Sequence, residues 1–136
     1  MTRKILTILT LLVLALGSTS LLAKQKPFLI HGQLPHLTGV IMQLWDDEDL
    51  ALTPKQKAEL KQIRIRTIGG LGTIKGEVFP LEAEIVEASN NGATPESLED
   101  DVEKLAALRA EATMIHIKCI YDTKKVLTKK QLQLLE

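Results

Sequence analysis

The side chains of this chain best suited to chemistry are a histidine and a cysteine three residues apart, His116 and Cys119. Residues three apart on a helix share one side, so an imidazole and a thiolate placed this way could bind one transition metal such as zinc, copper or nickel. A zinc site needs three or four ligands, and the others would have to come from His31, His36, Met42 or a carboxylate. The sequence therefore offers only part of a metal site.

A structural role for the same two residues is the favoured interpretation. A cysteine in an apolar helical seam is usually a small buried hydrophobe, and a lone helical histidine is usually a surface side chain or one with its hydrogen bonds satisfied. Catalysis is not expected, because Cys119 and His116 lack a third group to orient them and no serine lies in a G-x-S-x-G turn. Acid pairs such as Glu82 with Glu84 are typical of solvated helix faces. We predict no catalytic residue.

Length and composition limit the architecture. The 136 residues have room for one domain, and four aromatic residues leave a core that must be built from aliphatic side chains, as in packed helices. The single cysteine excludes an internal disulfide. Without Arg3 and Lys4 the chain keeps 15 basic against 17 acidic residues, so it has no surplus of positive charge for nucleic acid.

The N-terminus has the layout of a secretory signal peptide. Two basic residues precede the uncharged run Ile5 to Leu16, and small polar residues follow. We predict a signal peptide over residues 1–23 that is cut between Ser18 and Ala23, with an uncleaved membrane anchor as the alternative. A flexible lead is expected over residues 24–35 and the folded domain over residues 36–136.

Apolar spacing of three and four predicts helices after the lead. A first helix is expected over residues 36–47, and a second from Leu52 to about Lys75. Pro80 lacks an amide hydrogen, so a kink or break is predicted near residues 76–80. An apolar seam crosses this region and would suit packing against another helix or contact with a client protein: Leu71, Ile74, Val78, Leu81 and Ile85.

A long helix is predicted for the second half of the chain. Thr94 and Pro95 provide its start, and apolar residues continue at helical spacing to Val126. Such a helix is about 45 Å long at 1.5 Å per residue, which exceeds the width of a compact domain of this size. We therefore expect an elongated or dimeric protein.

The pentapeptide Leu-Thr-x-Lys-Gln occurs twice, before the second helix and after the long one. In each copy the threonine can cap a helix N-terminus and the glutamine three residues later can reach back to the cap amide. The leucine before each threonine can act as a hydrophobic staple. The motif residues are Leu52, Thr53, Gln56, Leu127, Thr128 and Gln131.

An exported helical chain with these two motifs in this order resembles the Spy and CpxP family of periplasmic stress proteins, which includes ZraP-type and CnrX-type metal-responsive relatives. The resemblance covers LTPKQKAELKQIR (52–64), the segment PLE (80–82) and ALRAEATMIHIKCIYDTKKVLTKKQ (107–131). It implies an all-α, elongated, curved bundle of four to five helices with long antiparallel helices. It also implies a homodimeric cradle that holds unfolded client proteins without ATP, or that signals to an envelope sensor kinase.

The sequence departs from these relatives in two respects. The chaperone members are basic and rich in methionine along the cradle, whereas this chain is slightly acidic without its signal. The metal-sensing members pair histidines a turn apart in the first helix and a histidine with a methionine in the long one. Here His36 is followed four residues on by Val40, and His116 by Ile120.

The sequence thus predicts a periplasmic envelope-stress protein that acts by binding unfolded clients, by regulating a sensor kinase, or both. A periplasmic heavy-metal sensor or resistance protein is the alternative, with His36, His116 and Cys119 as the ligands to test. A structural helical adaptor is the third possibility. We expect no cofactor unless a transition metal binds.

Overall fold

The computed structural model describes residues 26–135. This range is all-helical and contains four helices, α1 (Leu37–Gln43), α2 (Pro54–Asn90), α3 (Pro95–Val126) and α4 (Lys129–Gln133). The predicted signal peptide and its cleavage site lie outside the described residues. None of the four helices has the length and apolar character needed to cross a membrane.

The helices α2 and α3 form a long hairpin that organises the molecule. Four residues connect them, and Gly92 supplies the positive φ of 86° that this turn requires. The start of α3 at Thr94 and Pro95 and its end at Val126 confirm the predicted long helix. The packing of α2 against α3 confirms the all-α prediction with long helices.

The predicted break near Pro80 is wrong, because α2 runs without interruption from Pro54 to Asn90. The lost hydrogen bond and the ring clash of an internal proline cost about 3 kcal/mol. Ile74 and Val78 before the proline and Leu81 after it are all buried, so packing on both sides holds the helix together. Pro80 faces solvent, where water can hydrate the carbonyl group that loses its donor.

The first part of the described chain differs from the flexible lead expected over residues 24–35. Phe28 is only 6% exposed and belongs to a core cluster with Ile74, Val78 and Ala112 of the hairpin. The backbone N–H of Leu29 donates a 2.9 Å hydrogen bond to Oγ1 of Thr113. The start of the lead, residues 27–29, is therefore packed against the hairpin, whereas residues 30–33 are exposed.

The first helix is shorter than predicted, since α1 ends at Gln43 rather than near residue 47. Its buried residues Leu37 and Ile41 join Leu60 of α2 and Leu127 in a second core cluster. The lead and α1 thus cover one face of the hairpin, with one cluster near its middle and the other near its open end.

Candidate functional site

The two Leu-Thr-x-Lys-Gln motifs form two complete capping boxes. Oγ1 of Thr53 accepts from the N–H of Gln56, whose side-chain Oε1 accepts from the N–H of Thr53. Thr128 and Gln131 repeat this arrangement at the start of α4. Each box satisfies two backbone donors that the first turn of a helix leaves without partners.

The structure also joins the two motifs to each other, which sequence reasoning did not predict. Nε2 of Gln56 donates to Oε1 of Gln131 at 2.8 Å and to the carbonyl of Val126 at 2.9 Å. Nε2 of Gln131 donates to Oε1 of Gln56 at 3.1 Å and to the carbonyl of Leu50 at 2.9 Å. We call these two reciprocally bonded side chains the glutamine pair.

The glutamine pair explains why glutamine recurs where glutamate would cap a helix as well. Each amide oxygen serves its own capping box, while each amide nitrogen bonds across to the other motif, and a carboxylate has no such donor. The staple residues Leu52 and Leu127 lie in one apolar cluster. The motif residues therefore hold the start of α2 to the end of α3, and this is an architectural role.

Two of the histidines considered as candidate metal ligands come together, on the side of the hairpin covered by the lead. The rings of His36 and His116 stack with their centroids 4.6 Å apart and their planes 17° apart. Phe28 stacks on His116 at 4.9 Å. The thiol of Cys119 is buried one helical turn further on, 3.9 Å from Oγ1 of Thr38.

His116 is the least satisfied polar side chain of this region. It is 5% exposed, and within the described chain neither ring nitrogen makes a hydrogen bond of good geometry, although the carbonyl of Pro35 lies close enough to act on the ring. An unpaired buried polar group costs about 1–3 kcal/mol. Burial lowers the pKa of His116 below its ordinary 6.5, the carbonyl of Pro35 partly opposes this effect, and the Lys26 ammonium group lowers the pKa further. The ring is therefore neutral at neutral pH.

His36 has a similar electrostatic environment. The ammonium group of Lys26 lies 3.1 Å from Nε2 of His36 and donates to it. Burial lowers the pKa of His36, and the nearby Lys26 and His116 lower it further. Both rings are thus neutral bases at neutral pH, and both lie beside a fixed positive charge.

This arrangement does not fit a metal site. A histidine binds metal through a lone pair in its ring plane, and in stacked rings these lone pairs run side by side rather than converging on one point. The Lys26 ammonium group also occupies the Nε2 side of His36. Over residues 26–135, no three side chains among histidine, cysteine, aspartate and glutamate are grouped to hold a metal ion.

A cavity of about 240 Å³ lies beside His116, between the lead, α1 and the hairpin. We call it the histidine cavity. Three cationic side chains line it: Lys26 from the lead, and Arg64 and Lys75 from α2. Sequence reasoning missed them because they come from three separate stretches of chain, each of which resembles an ordinary solvated charge. The local signal was Phe28, a bulky aromatic side chain in a lead that was expected to be flexible.

The apolar seam predicted on α2 is largely buried. Ile74, Val78 and Leu81 are 7% exposed or less, and Leu71 and Ile85 are half-buried. Leu71, Ile74 and Val78 pack in the core cluster of Phe28. A client could reach the buried Ile74 and Val78 only if this cluster opened.

The exposed apolar side chains lie on the outer edges of the hairpin instead. On α3, Met114 is 61% exposed, Tyr121 57% and Ile117 38%. We call this surface the α3 outer face, and it also includes Ala110. On α2, Ile65, Ile68 and Val86 are each more than half exposed. We call this the α2 outer face. Exposed apolar side chains grouped on one helix face are typical of interaction surfaces.

In comparisons with known proteins, no protein-family model, curated protein or solved structure matches this chain.

Proposed function

We propose that this chain is an exported envelope-stress protein that holds unfolded client proteins on the α3 outer face, acts without ATP, and works as a homodimer. The observation that supports this proposal most is the exposure of Met114, Ile117 and Tyr121 on one side of a long, rigid helix. A row of exposed apolar side chains can contact many different unfolded segments, and the flexible thioether of Met114 adapts to varied partners.

Charges around the α3 outer face favour weak and reversible contact. Lys118 pairs with Asp122 at 2.8 Å, and the ammonium group of Lys125 lies 4.4 Å from the ring centroid of Tyr121. Such exposed pairs contribute little to stability but keep the apolar row soluble. Clients that combine apolar residues with acidic ones would complement these lysines.

The test is suppression of aggregation. The purified protein should slow the aggregation of a chemically unfolded client when present in molar excess. The double variant Ile117→Ser with Tyr121→Ser should lose this activity while keeping its helical content. Val102→Ser is the matched control, because Val102 is also about half exposed on α3 but lies outside the α3 outer face. A structural adaptor would leave aggregation unchanged with every variant.

The α2 outer face is suited to a second copy of the chain. At intervals of seven residues it carries Ala58, Ile65, Gly72 and Val86, with small residues at 69, 76 and 83 between them. The half-buried Phe79 continues this spacing at the border of the face, where it also packs against the core cluster of Phe28. A Cβ atom added at Gly69, Gly72 or Gly76 would meet nothing within 4 Å, so another helix can approach closely here. Two antiparallel α2 helices centred on Gly72 would place Ile65 opposite Phe79.

The charges of α2 favour the same antiparallel pairing. Up to Lys75 the helix carries six basic residues and one acidic residue, whereas beyond it the helix carries four acidic residues and no basic one. Antiparallel α2 helices would bring the basic half of each helix against the acidic half of the other helix.

Sedimentation should therefore show a dimer that Ile65→Glu converts to a monomer, while Val102→Glu leaves the dimer intact. A wild-type monomer at high protein concentration would contradict this pairing.

Regulation of a sensor kinase could use the same exposed surfaces, since a protein occupied by clients would no longer be free to contact the kinase.

The metal-sensor alternative is favoured by one observation only, the meeting of His36 and His116 near Cys119. It would require the stacked rings to rotate and Lys26 to move away. Calorimetric titration with zinc, copper and nickel tests it, and micromolar binding that is lost in His116→Ala would support it.

A further inference from the structure

One feature of the histidine cavity points to a ligand of negative charge, and it is the charge of the lining. Lys26, Arg64 and Lys75 contribute three positive charges, and no aspartate or glutamate is present among the described residues that line the cavity. The ring nitrogens of His116 are enclosed by protein atoms, so this side chain forms part of the cavity wall.

The three cations also have no carboxylate partners within residues 26–135. The ion pairs of this range join other residues, such as Arg66 with Asp122 and Arg109 with Glu82. Positive charges gathered in a partly buried cavity repel one another, and an anion placed among them removes this repulsion. A divalent metal ion would add to it.

We propose that the histidine cavity binds a small oxyanion, such as a phosphate group or a carboxylate. The ammonium groups of Lys26 and Lys75 and the guanidinium group of Arg64 neutralise the charge of the ligand. Arginine provides paired N–H groups that match the spacing of two oxyanion oxygens, and lysine provides a compact charge.

The size and access of the cavity suit such a ligand. Its volume of about 240 Å³ exceeds what one water molecule occupies several-fold. Lys26, His36 and Lys75 line it and are exposed, so an anion can enter from solvent without opening the hairpin. The hydroxyl of Thr38 also lines it and can donate to a further oxygen, whereas the hydroxyl of Thr67 already donates to the carbonyl of Ile63. Oxyanion binding does not depend on client holding, so either property can fail alone.

Calorimetry and NMR of the purified protein test this site. Inorganic phosphate and acetate are titrated separately, in a chloride background of constant ionic strength. Phosphate binding should shift the side-chain nitrogen resonances of His36 and His116, leave those of His31 unchanged, and raise the melting temperature. A stronger response to phosphate than to acetate assigns the ligand as a phosphate group, and the reverse order assigns it as a carboxylate.

Charge-matched variants locate the site. Arg64→Gln and Lys26→Gln should each weaken binding about tenfold, as expected for one lost charge-assisted contact. Lys61→Gln removes one positive charge from the exposed surface of the same helix outside the cavity and should leave the affinity unchanged. His116→Phe keeps an aromatic ring in the cavity wall and removes no cation, so it should leave the affinity largely unchanged. The proposal is overturned if neither anion binds at millimolar concentration, if Lys61→Gln weakens binding as much as Arg64→Gln, or if zinc binds instead.

Discussion

Replacing Gln131 by glutamate separates the two roles of the motif residues. A glutamate at this position still accepts from the N–H of Thr128 and completes the capping box. It cannot donate to the carbonyl of Leu50 or to Oε1 of Gln56, the two bonds that Nε2 of Gln131 makes at 2.9 and 3.1 Å. Each of these bonds contributes about 1 kcal/mol.

The loss should exceed these two bonds because position 131 is buried. Gln131 is 7% exposed, and a carboxylate there would face two acceptor oxygens. The carbonyl of Leu50 would lose its donor in a buried environment, and this cost adds to the two lost hydrogen bonds. We therefore expect Gln131→Glu to lower the free energy of unfolding by about 3 kcal/mol at neutral pH. In mildly acidic solution the carboxyl group takes up a proton, can donate once, and should recover part of the loss.

Urea unfolding followed by far-ultraviolet circular dichroism measures this effect. The control is Gln133→Glu, which makes the same change two residues later on the exposed surface of α4. It should change the stability by less than about 0.5 kcal/mol. If the two variants have equal stability at neutral pH, the glutamine pair does not hold the motifs together and its proposed role is wrong.

Three further changes test other parts of the structure. Pro80→Ala restores a helical hydrogen bond at an exposed position and should raise the free energy of unfolding, by up to about 3 kcal/mol; no change in urea unfolding would mean that α2 is not continuous there. Phe28→Ala removes a 6% exposed core side chain and should destabilise the protein by about 3 kcal/mol, whereas an unpacked lead would give no effect in the same assay. Because the pKa of His116 is lowered in the folded protein, the unfolded chain binds a proton at this residue more readily than the folded protein does. The free energy of unfolding should therefore be highest above pH 6.5 and decrease as the pH falls below it. His116→Phe should reduce this decline in thermal unfolding measured across pH and leave the part that comes from the lowered pKa of His36, and an equal decline in His116→Phe would remove His116 as a cause.

Local features of the sequence predicted most of the helical architecture. The caps at Thr53, Thr94 and Thr128 and the apolar spacing of α3 are properties of neighbouring residues, so they can be read from short segments. The predicted break at Pro80 was wrong because it considered only the local cost of proline. Burial of Val78 and Leu81 against distant residues decides the outcome, and a single segment does not contain that information.

The candidate site depends even more on contacts between distant segments, which cannot be predicted from one short segment. The sequence singled out His36, His116 and Cys119, and the structure brings these residues together. The cations that line the histidine cavity come from the lead and α2, far from His116 along the chain, and only the folded hairpin assembles them. The glutamine pair likewise joins residues 75 positions apart.

The central claim, client holding on the α3 outer face, is tested most directly by the methyl groups of the two methionines within the described chain. Met114 lies on that face and is 61% exposed, whereas Met42 lies on α1 and is 43% exposed, so the two differ in location but are both accessible. In methyl NMR of the methionine-labelled protein, an unfolded client should broaden or shift the Met114 signal and leave the Met42 signal unchanged. A client that perturbs Met42 alone, or neither methionine while its aggregation is still suppressed, would contradict the claim.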